Sequence, residues 1–462
     1  MELTETIYER SFIMDYESIK RLGLDYYNID LEKSFETFDP SNNNHTIVLY
    51  LKKDKTISCP YCFSNHLLSR GSKSNNLKYS SAVENNINIK LYRRVYKCLD
   101  CDKTFKEENI FTSSKKQITI QKDLQILNAL RDKTRTYTSV AKEFNVSTSY
   151  VIDMFDRKVD LKRLQLPQVL CIDEVYAKKL TKHSYCCVLY SPQWKKIIDI
   201  LDSRHKLDLI DYFSRIPKQE KDNVKFISID MWDSYRQMAK LCLPKAIICV
   251  DSFHVISHLS SAFKSIRIRI MKKYEHLKKE NDNYYWLFKK YSNFLMADVS
   301  KLPEYIKVKH SGMYLSKYRI IEDMLSLDDN LKLAYELKEE YRNFNSSATI
   351  LNAEEWLDEL ILKFLNSNIS EYYPFANLLI NWRDEIINSF NRLNDHRISN
   401  GPMERVNRDI KTIFEISFGS TNFTRVRNRV IFSINDSSPI LYHRKSSSNK
   451  RIAKPRGKYK KY

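Results

Sequence analysis

Residues 169–175 read VLCIDEV, an apolar run broken only by Asp173 and Glu174 near its end. The run is too short for a core helix and reads as a buried strand that ends in two carboxylates. Four similar runs follow: YCCVLY (185–190), KIIDIL (196–201), VKFISID (224–230, ending at Asp230) and AIICV (246–250). The last leads into Asp251 and His254 at a helix start, and residues 205–215 and the run holding Trp232, Tyr235 and Met238 read as helices.

The resulting order, β-β-β-α-β-α-β-α, is that of an RNase H-like core, where acids at the ends of neighbouring strands meet at one edge of the sheet. The fold class expected is α/β multidomain: an N-terminal zinc ribbon and helix-turn-helix, then an RNase H-like core interrupted by an all-α insertion domain. Beyond 266 the strand signal vanishes. Residues 267–393 are helical and aromatic (Tyr285, Trp286, Phe288, Trp356, Phe364, Phe375, Trp382, Phe390), a pattern that suits the core of an inserted helix bundle.

The run NGPMERVNRDIKTIFEISFGSTNFTRVRNRVI (400–431) returns the chain to the core. Gly401-Pro402 marks a helix start, and Met403, Val406, Ile410, Ile413 and Phe414 recur at helical spacing as one apolar face. Glu404 sits beside that face. By itself it reads as an acid favoured at the positive end of a helix. Behind Asp173 and Asp230 it also reads as the third member of a carboxylate set.

Such a set suits phosphodiester chemistry. Two Mg²⁺ ions can activate the attacking oxygen and stabilise the departing one, and Mg²⁺ demands oxygen ligands. Asp173, on the first and central strand, would bridge the ions, with Asp230 and Glu404 each holding one. Arg405, Arg408 and Lys411 read either as groups near scissile phosphates or as a solvated face.

Upstream, Cys59-Pro60-Tyr61-Cys62 and Cys98-Leu99-Asp100-Cys101 are two CxxC pairs flanking a stretch of alternating apolar residues around Ile87, Ile89 and Leu91. Four thiolates at this spacing converge on a structural Zn²⁺ in a zinc ribbon; His66 is a nearby competitor, read as an exposed loop residue. Cys171, Cys186, Cys187, Cys242 and Cys249 lie in apolar runs and read as small buried hydrophobes. In TYTSVAKEFNVSTSYVIDMFDR (136–157), Val140, Ala141 and Phe144 pack inward, Asn145-Val146 turns, and Ser147 caps a second helix. This reads as a helix-turn-helix, with Ser147, Thr148, Ser149 and Tyr150 opening the recognition helix.

The 462 residues carry 77 Lys and Arg against 57 Asp and Glu, a net charge of +20 that points to a polyanionic partner. No apolar run approaches the length of a membrane span, and the N-terminus lacks a signal pattern, so a cytoplasmic, nucleoid-associated chain is expected. The segments expected are 1–45 helical, 46–115 zinc ribbon, 116–160 helix-turn-helix, 161–266 first part of the core, 267–393 helical insertion, 394–436 second part of the core with Glu404, and 437–462 a basic tail without acids.

With these pieces assembled, the sequence resembles the ISL-three family of DDE-type bacterial insertion-sequence transposases. The resemblance is carried by CPYC…CLDC, the helix-turn-helix, CIDEV, ISIDMWDSY, VDSFHVI and NGPMERVNRDIK…SFGSTNF…RVRNRV. It implies a DDE triad of Asp173, Asp230 and Glu404 with Mg²⁺, and recognition of terminal inverted repeats by the zinc ribbon and helix-turn-helix. Cleavage of the element's ends and joining of the 3′-OH to target DNA would follow, with double-stranded DNA as partner and at least a homodimer on it. Two departures stand out: Arg405 where the family usually has Gly, and Ser420-Thr421 where it usually has an aromatic and Arg. Asp251 and His254 match a family DxFH pattern and read as supports for the metal, as DNA contacts, or as a capped helix start. Two other functions fit parts of the chain: a DNA-binding regulator without catalysis, and another RNase H-like nuclease.

Overall fold

Alternating apolar residues between 44 and 98 pair into one sheet because their registers match. The structure, a computed structural model, describes residues 10–24, 27–39, 44–53, 57–82, 85–109, 111–112, 117–177, 180–181, 184–276, 283–308, 313–417 and 420–435. The basic tail expected at 437–462 lies outside them. The described chain divides into two compact units, 1–161 with 428–462, and 162–427.

In the first unit, β1 (Arg10–Ile13), β2 (Phe35–Asp39), β3 (Asn44–Tyr50), β4 (Leu67–Ala82), β5 (Asn85–Cys98) and β6 (Thr104–Lys106) form a sheet ordered β1-β2-β3-β5-β4, with β6 against β5. Ile47 faces Ile89 and Leu49 faces Leu91 across the parallel β3–β5 pair, and Leu77 faces Ile89 from β4. Met14, Ile19 and Leu24, in and around the short helix α1 (Tyr16–Arg21), cover these residues. The N-terminal segment, expected to be helical, therefore contributes two strands as well. Phe35–Asp39 is extended because β3 offers it an antiparallel ladder over its full length.

Three helices follow: α2 (Ile120–Ala129), α3 (Tyr137–Glu143) and α4 (Thr148–Lys158). Thr136 and Ser139 cap α3 reciprocally, and Ser147 Oγ accepts the Tyr150 amide at the start of α4. Between them Asn145 takes a positive φ of 48°, a conformation Asn adopts more readily than most residues. Val140, Ala141, Phe144, Val151, Met154 and Phe155 are buried together with Ile126, Leu127 and Leu130 of the α2 region.

The second unit is built on β7 (Val169–Tyr176), β8 (Tyr185–Ser191), β9 (Lys196–Leu201), β10 (Phe226–Ile229) and β11 (Ile247–Val250), ordered β11-β10-β7-β8-β9. The pairs β7–β8 and β8–β9 are antiparallel, and β10 and β11 run parallel to β7. Helices α5 (Lys206–Ser214), α6 (Lys218–Asp222), α7 (Asp233–Cys242) and α8 (Ser252–Lys273) punctuate the strands. The helices α9 (Asn283–Lys290), α10 (Ser292–Met296), α11 (Lys317–Leu325), α12 (Asp329–Ser347), α13 (Ala353–Asn366), α14 (Tyr373–Asn381) and α15 (Arg383–Asn388) follow. Their aromatic residues are core: Phe288, Tyr341, Phe364 and Phe375 belong to one apolar cluster that continues through Phe263 of α8 to Leu170, Ile172 and Ile227 of the sheet. The helical segment thus shares its core with the sheet.

Two helices close the described chain, α16 (Gly401–Ile416) and α17 (Phe423–Ile434). Met403, Val406, Ile410 and Ile413 form the buried face of α16. The unit boundary falls inside α17, between Arg427 and Asn428. Its last turns complete the helical core of the first unit: Phe432 is fully buried there, edge-on to Phe155 with centroids 5.8 Å apart. Arg429, 1% exposed, donates to the carbonyls of Asp132 and Arg135.

Candidate active site and metal centre

The three parallel strands set the geometry of the site. Cys171 pairs with Ser228 across β7 and β10, and Ile229 pairs with Val250 across β10 and β11. Carrying these registers just past the paired residues aligns Asp173, Asp230 and Asp251 in one row at the strand ends. Side chains alternate along a strand, so all three lie on the same face and Glu174 lies on the other. There Glu174 pairs with Arg204, whose guanidinium is held between the rings of Tyr185 at 4.2 Å and Trp232 at 4.3 Å.

Each acid of the row has a defined partner. Asp173 Oδ1 accepts the Glu174 amide at 2.7 Å, and its Oδ2 accepts Asn407 Nδ2 of α16 at 2.5 Å. His254 Nε2 lies 2.9 Å from Asp230 Oδ1. Asp251, 4% exposed, accepts the Asn400 amide at 3.2 Å, and Asn400 Nδ2 donates to the Ile172 carbonyl at 3.1 Å.

Crowding these acids out of water has the expected electrostatic result. Burial, followed by the neighbouring charge of Asp230, pushes the Asp173 carboxyl up to about 7. Burial also raises Asp251, while the contact with Asp230 raises His254. A cation placed here would relieve the strain of the ionised acids. The donors fit a hard divalent ion: they are carboxylates, and Asn407 Oδ1 is buried without a hydrogen-bond partner among the described residues.

Glu404 stands in the exposed first turn of α16, one turn before Asn407. Its charge contributes to the raised proton affinity of Asp251. Asp173 and Asp230 align at neighbouring strand ends, and the described residues Asp173, Asp230 and Glu404 do not together form a group with all ligating atoms within 4.8 Å of one another. Among the described residues, the one set of three or more Cys, His, Asp or Glu with ligating atoms within 4.8 Å of one another is Cys59, Cys62, Cys98 and Cys101.

In that cysteine group Cys59 Sγ lies 3.6 Å from Cys101 Sγ, and Cys62 Sγ lies 3.5 Å from Cys98 Sγ. Four thiolates around a tetrahedral ion at about 2.3 Å would be separated by roughly 3.8 Å, so the cage needs little adjustment to hold a metal. Each CxxC turn is followed by a residue in the left-handed region, Phe63 at φ 61° and Asp102 at φ 59°. Burial opposes ionisation of Cys59, but hydrogen bonds from the Tyr61 and Cys62 amides, together with those from the Cys101 and Cys62 thiols, lower this thiol to about 7. His66 is exposed and faces Asp100 at 3.3 Å, outside the cysteine group.

The residues expected to touch DNA divide by exposure. Arg405, Arg408 and Lys411 form an open face of α16, and Ser149 is exposed at the start of α4. Ser147 is engaged as a cap. Tyr150 turns inward: its hydroxyl donates to buried Asp123 at 2.5 Å, and burial followed by that carboxylate raises its pKa.

Residues 170–430, over half of the chain, match the family model described as Transposase for the ISL-three group. The chain belongs to the ISL-three transposase family. No curated protein matches it. The matched span of the transposase runs from β7 into α17 and contains the whole acid row together with Glu404; the cysteine cage lies outside it. Sequence reasoning gave no role to Asn400 or Arg204, nor a contact to Asn407. For Asn407 a signal existed, since it follows Glu404 by three positions and i,i+3 residues share a helix face.

Proposed function

We propose that this transposase is a DDE-type enzyme that binds the terminal inverted repeats of its element, cleaves the DNA ends and joins the 3′-OH to target DNA. The observation that carries the reading is the alignment of Asp173 and Asp230 just past the paired residues of two neighbouring parallel strands, with α16, the helix of Glu404, bonded to Asp173 through Asn407. The sheet order supports an RNase H-like core, since only β8 runs against the other four strands. Two Mg²⁺ ions, when bound, would activate the attacking oxygen and stabilise the leaving one.

The chain's own residues then divide the work. Asp173 and Asp230 are the carboxylates at the sheet edge, and Glu404 supplies a third from the helix. His254 and Asn400 hold Asp230 and Asp251 in place by the contacts described above. Arg405, Arg408 and Lys411 offer cationic contacts to the phosphates on either side of the reacting one. Helices α3 and α4 act as the helix-turn-helix, with Thr148 and Ser149 nearest the bases. The four cysteines hold Zn²⁺ and fix the ribbon beside them. Joining two element ends calls for at least two copies of the chain on DNA.

The test is substitution without change of shape. Asp173→Asn, Asp230→Asn and Glu404→Gln should each abolish strand transfer on a substrate bearing the element's ends, while end binding persists. Normal joining by any one variant removes that residue from the triad.

A further inference from the structure

Helix α16 is attached to the sheet in two ways. Its apolar face, Met403, Val406, Ile410 and Ile413, is buried, but apolar packing is non-directional and sets no fine register. Hydrogen bonds are directional, and two asparagines provide them. Asn400 occupies the N-cap position without capping its own helix; its side chain donates to the Ile172 carbonyl, one residue before Asp173. Asn407 donates to Asp173 Oδ2, while the Glu174 amide holds Oδ1. With both oxygens bonded from different elements, the plane of the Asp173 carboxylate is fixed relative to strand and helix together.

We propose that Asn407 is a positioning residue for the reacting centre. It orients the Asp173 carboxylate and locks the helix of Glu404 to it, so that cation binding by this edge of the sheet depends on the Asn407 amide. The inference rests on reading Asp173 as a metal-holding residue, and its test separates the two. An amide that tethers a metal-binding carboxylate typically changes affinity by about 10–100-fold when removed.

The experiment uses the zinc-loaded full-length protein and measures Mn²⁺ binding by electron paramagnetic resonance, beside end binding and the Mn²⁺ dependence of strand transfer. Asn407→Ala should weaken Mn²⁺ binding about 10–100-fold with unchanged end binding, and strand transfer should recover in part at high Mn²⁺. Asn407→Gln, which keeps a donor on a longer stem, should restore part of the affinity. Asp173→Asn, measured in parallel, should lose both binding and transfer. If Asn407→Ala binds Mn²⁺ like the wild type while Asp173→Asn does not, the positioning role is overturned and the triad survives. Gln no better than Ala overturns the donor role. An Asp173→Asn variant with normal Mn²⁺ binding and transfer overturns the reading of Asp173 itself, and this inference with it.

Discussion

Replacing Asp173 by Asn should stabilise the transposase at pH 8 in the absence of divalent cations and leave its stability nearly unchanged at pH 4.5. In the folded protein burial and the charge of Asp230 raise the carboxyl from 3.8 to about 7. Because the folded value lies above the unfolded one, the group's contribution to stability is complete below about pH 4 and is lost as the pH rises through 7. At about 1.4 kcal/mol per pH unit, the penalty of an ionised Asp173 reaches an upper value of about 4 kcal/mol at pH 8. Asn carries no charge to desolvate, but it has one acceptor oxygen where the carboxylate has two. It therefore sacrifices either the Glu174 or the Asn407 bond, at about 1 kcal/mol. The expected balance is a gain of about 3 kcal/mol at pH 8 that shrinks to about zero at pH 4.5, where the charge penalty of about 1 kcal/mol in the wild type offsets the lost bond. All 5 tryptophans (194, 232, 286, 356 and 382) lie within 162–427, so urea unfolding followed by tryptophan fluorescence reports this unit alone. Saturating Mg²⁺ should then stabilise the wild type, by about 2.7 kcal/mol at a hundredfold excess over Kd, and leave the variant unmoved. A difference in stability that is the same at both pH values would refute the account of Asp173 as an acid strained by burial.

Two other expectations concern the first unit. Cys98→Ser removes one of four converging thiols, so metal released on denaturation should fall below one zinc per chain and the unit should unfold at lower temperature by circular dichroism. Phe432→Ala empties a fully buried site against Phe155 and should cost about 3–5 kcal/mol; faster amide hydrogen exchange in α2, α3 and α4 would reveal it, and unchanged exchange would contradict the packing described.

Much of this architecture was legible because its physics is local. A strand buried on both faces must be apolar throughout, which is why VLCIDEV and FISI stand out, and two CxxC turns announce a cage wherever they occur. The three-residue step from Glu404 to Asn407 is equally local. Other features depend on distant residues. Tyr150 looks like an exposed side chain at a helix start until Asp123 is placed beneath it. Asn400 has the sequence context of a helix cap, yet the carbonyl it bonds belongs to β7. Asp173 and Glu174 are neighbours with opposite surroundings, a distinction that only the pairing register reveals. The allegiance of Phe432 and Arg429 to the first unit was hidden too, because an amphipathic helix shows that it has a buried face and not against what.

That divided helix has a consequence for how the protein is made. A ribosome releases the first 161 residues long before it reaches Phe432 and Arg429, so the helical core that would read DNA stays incomplete while the whole second unit is synthesised. A chain cut short anywhere in between carries the cysteine cage and α2–α4 without their closing helix. Burial of the helical core of the first unit then waits until translation of the second has finished, and a truncated chain lacks the helix that would close the proposed DNA-reading core.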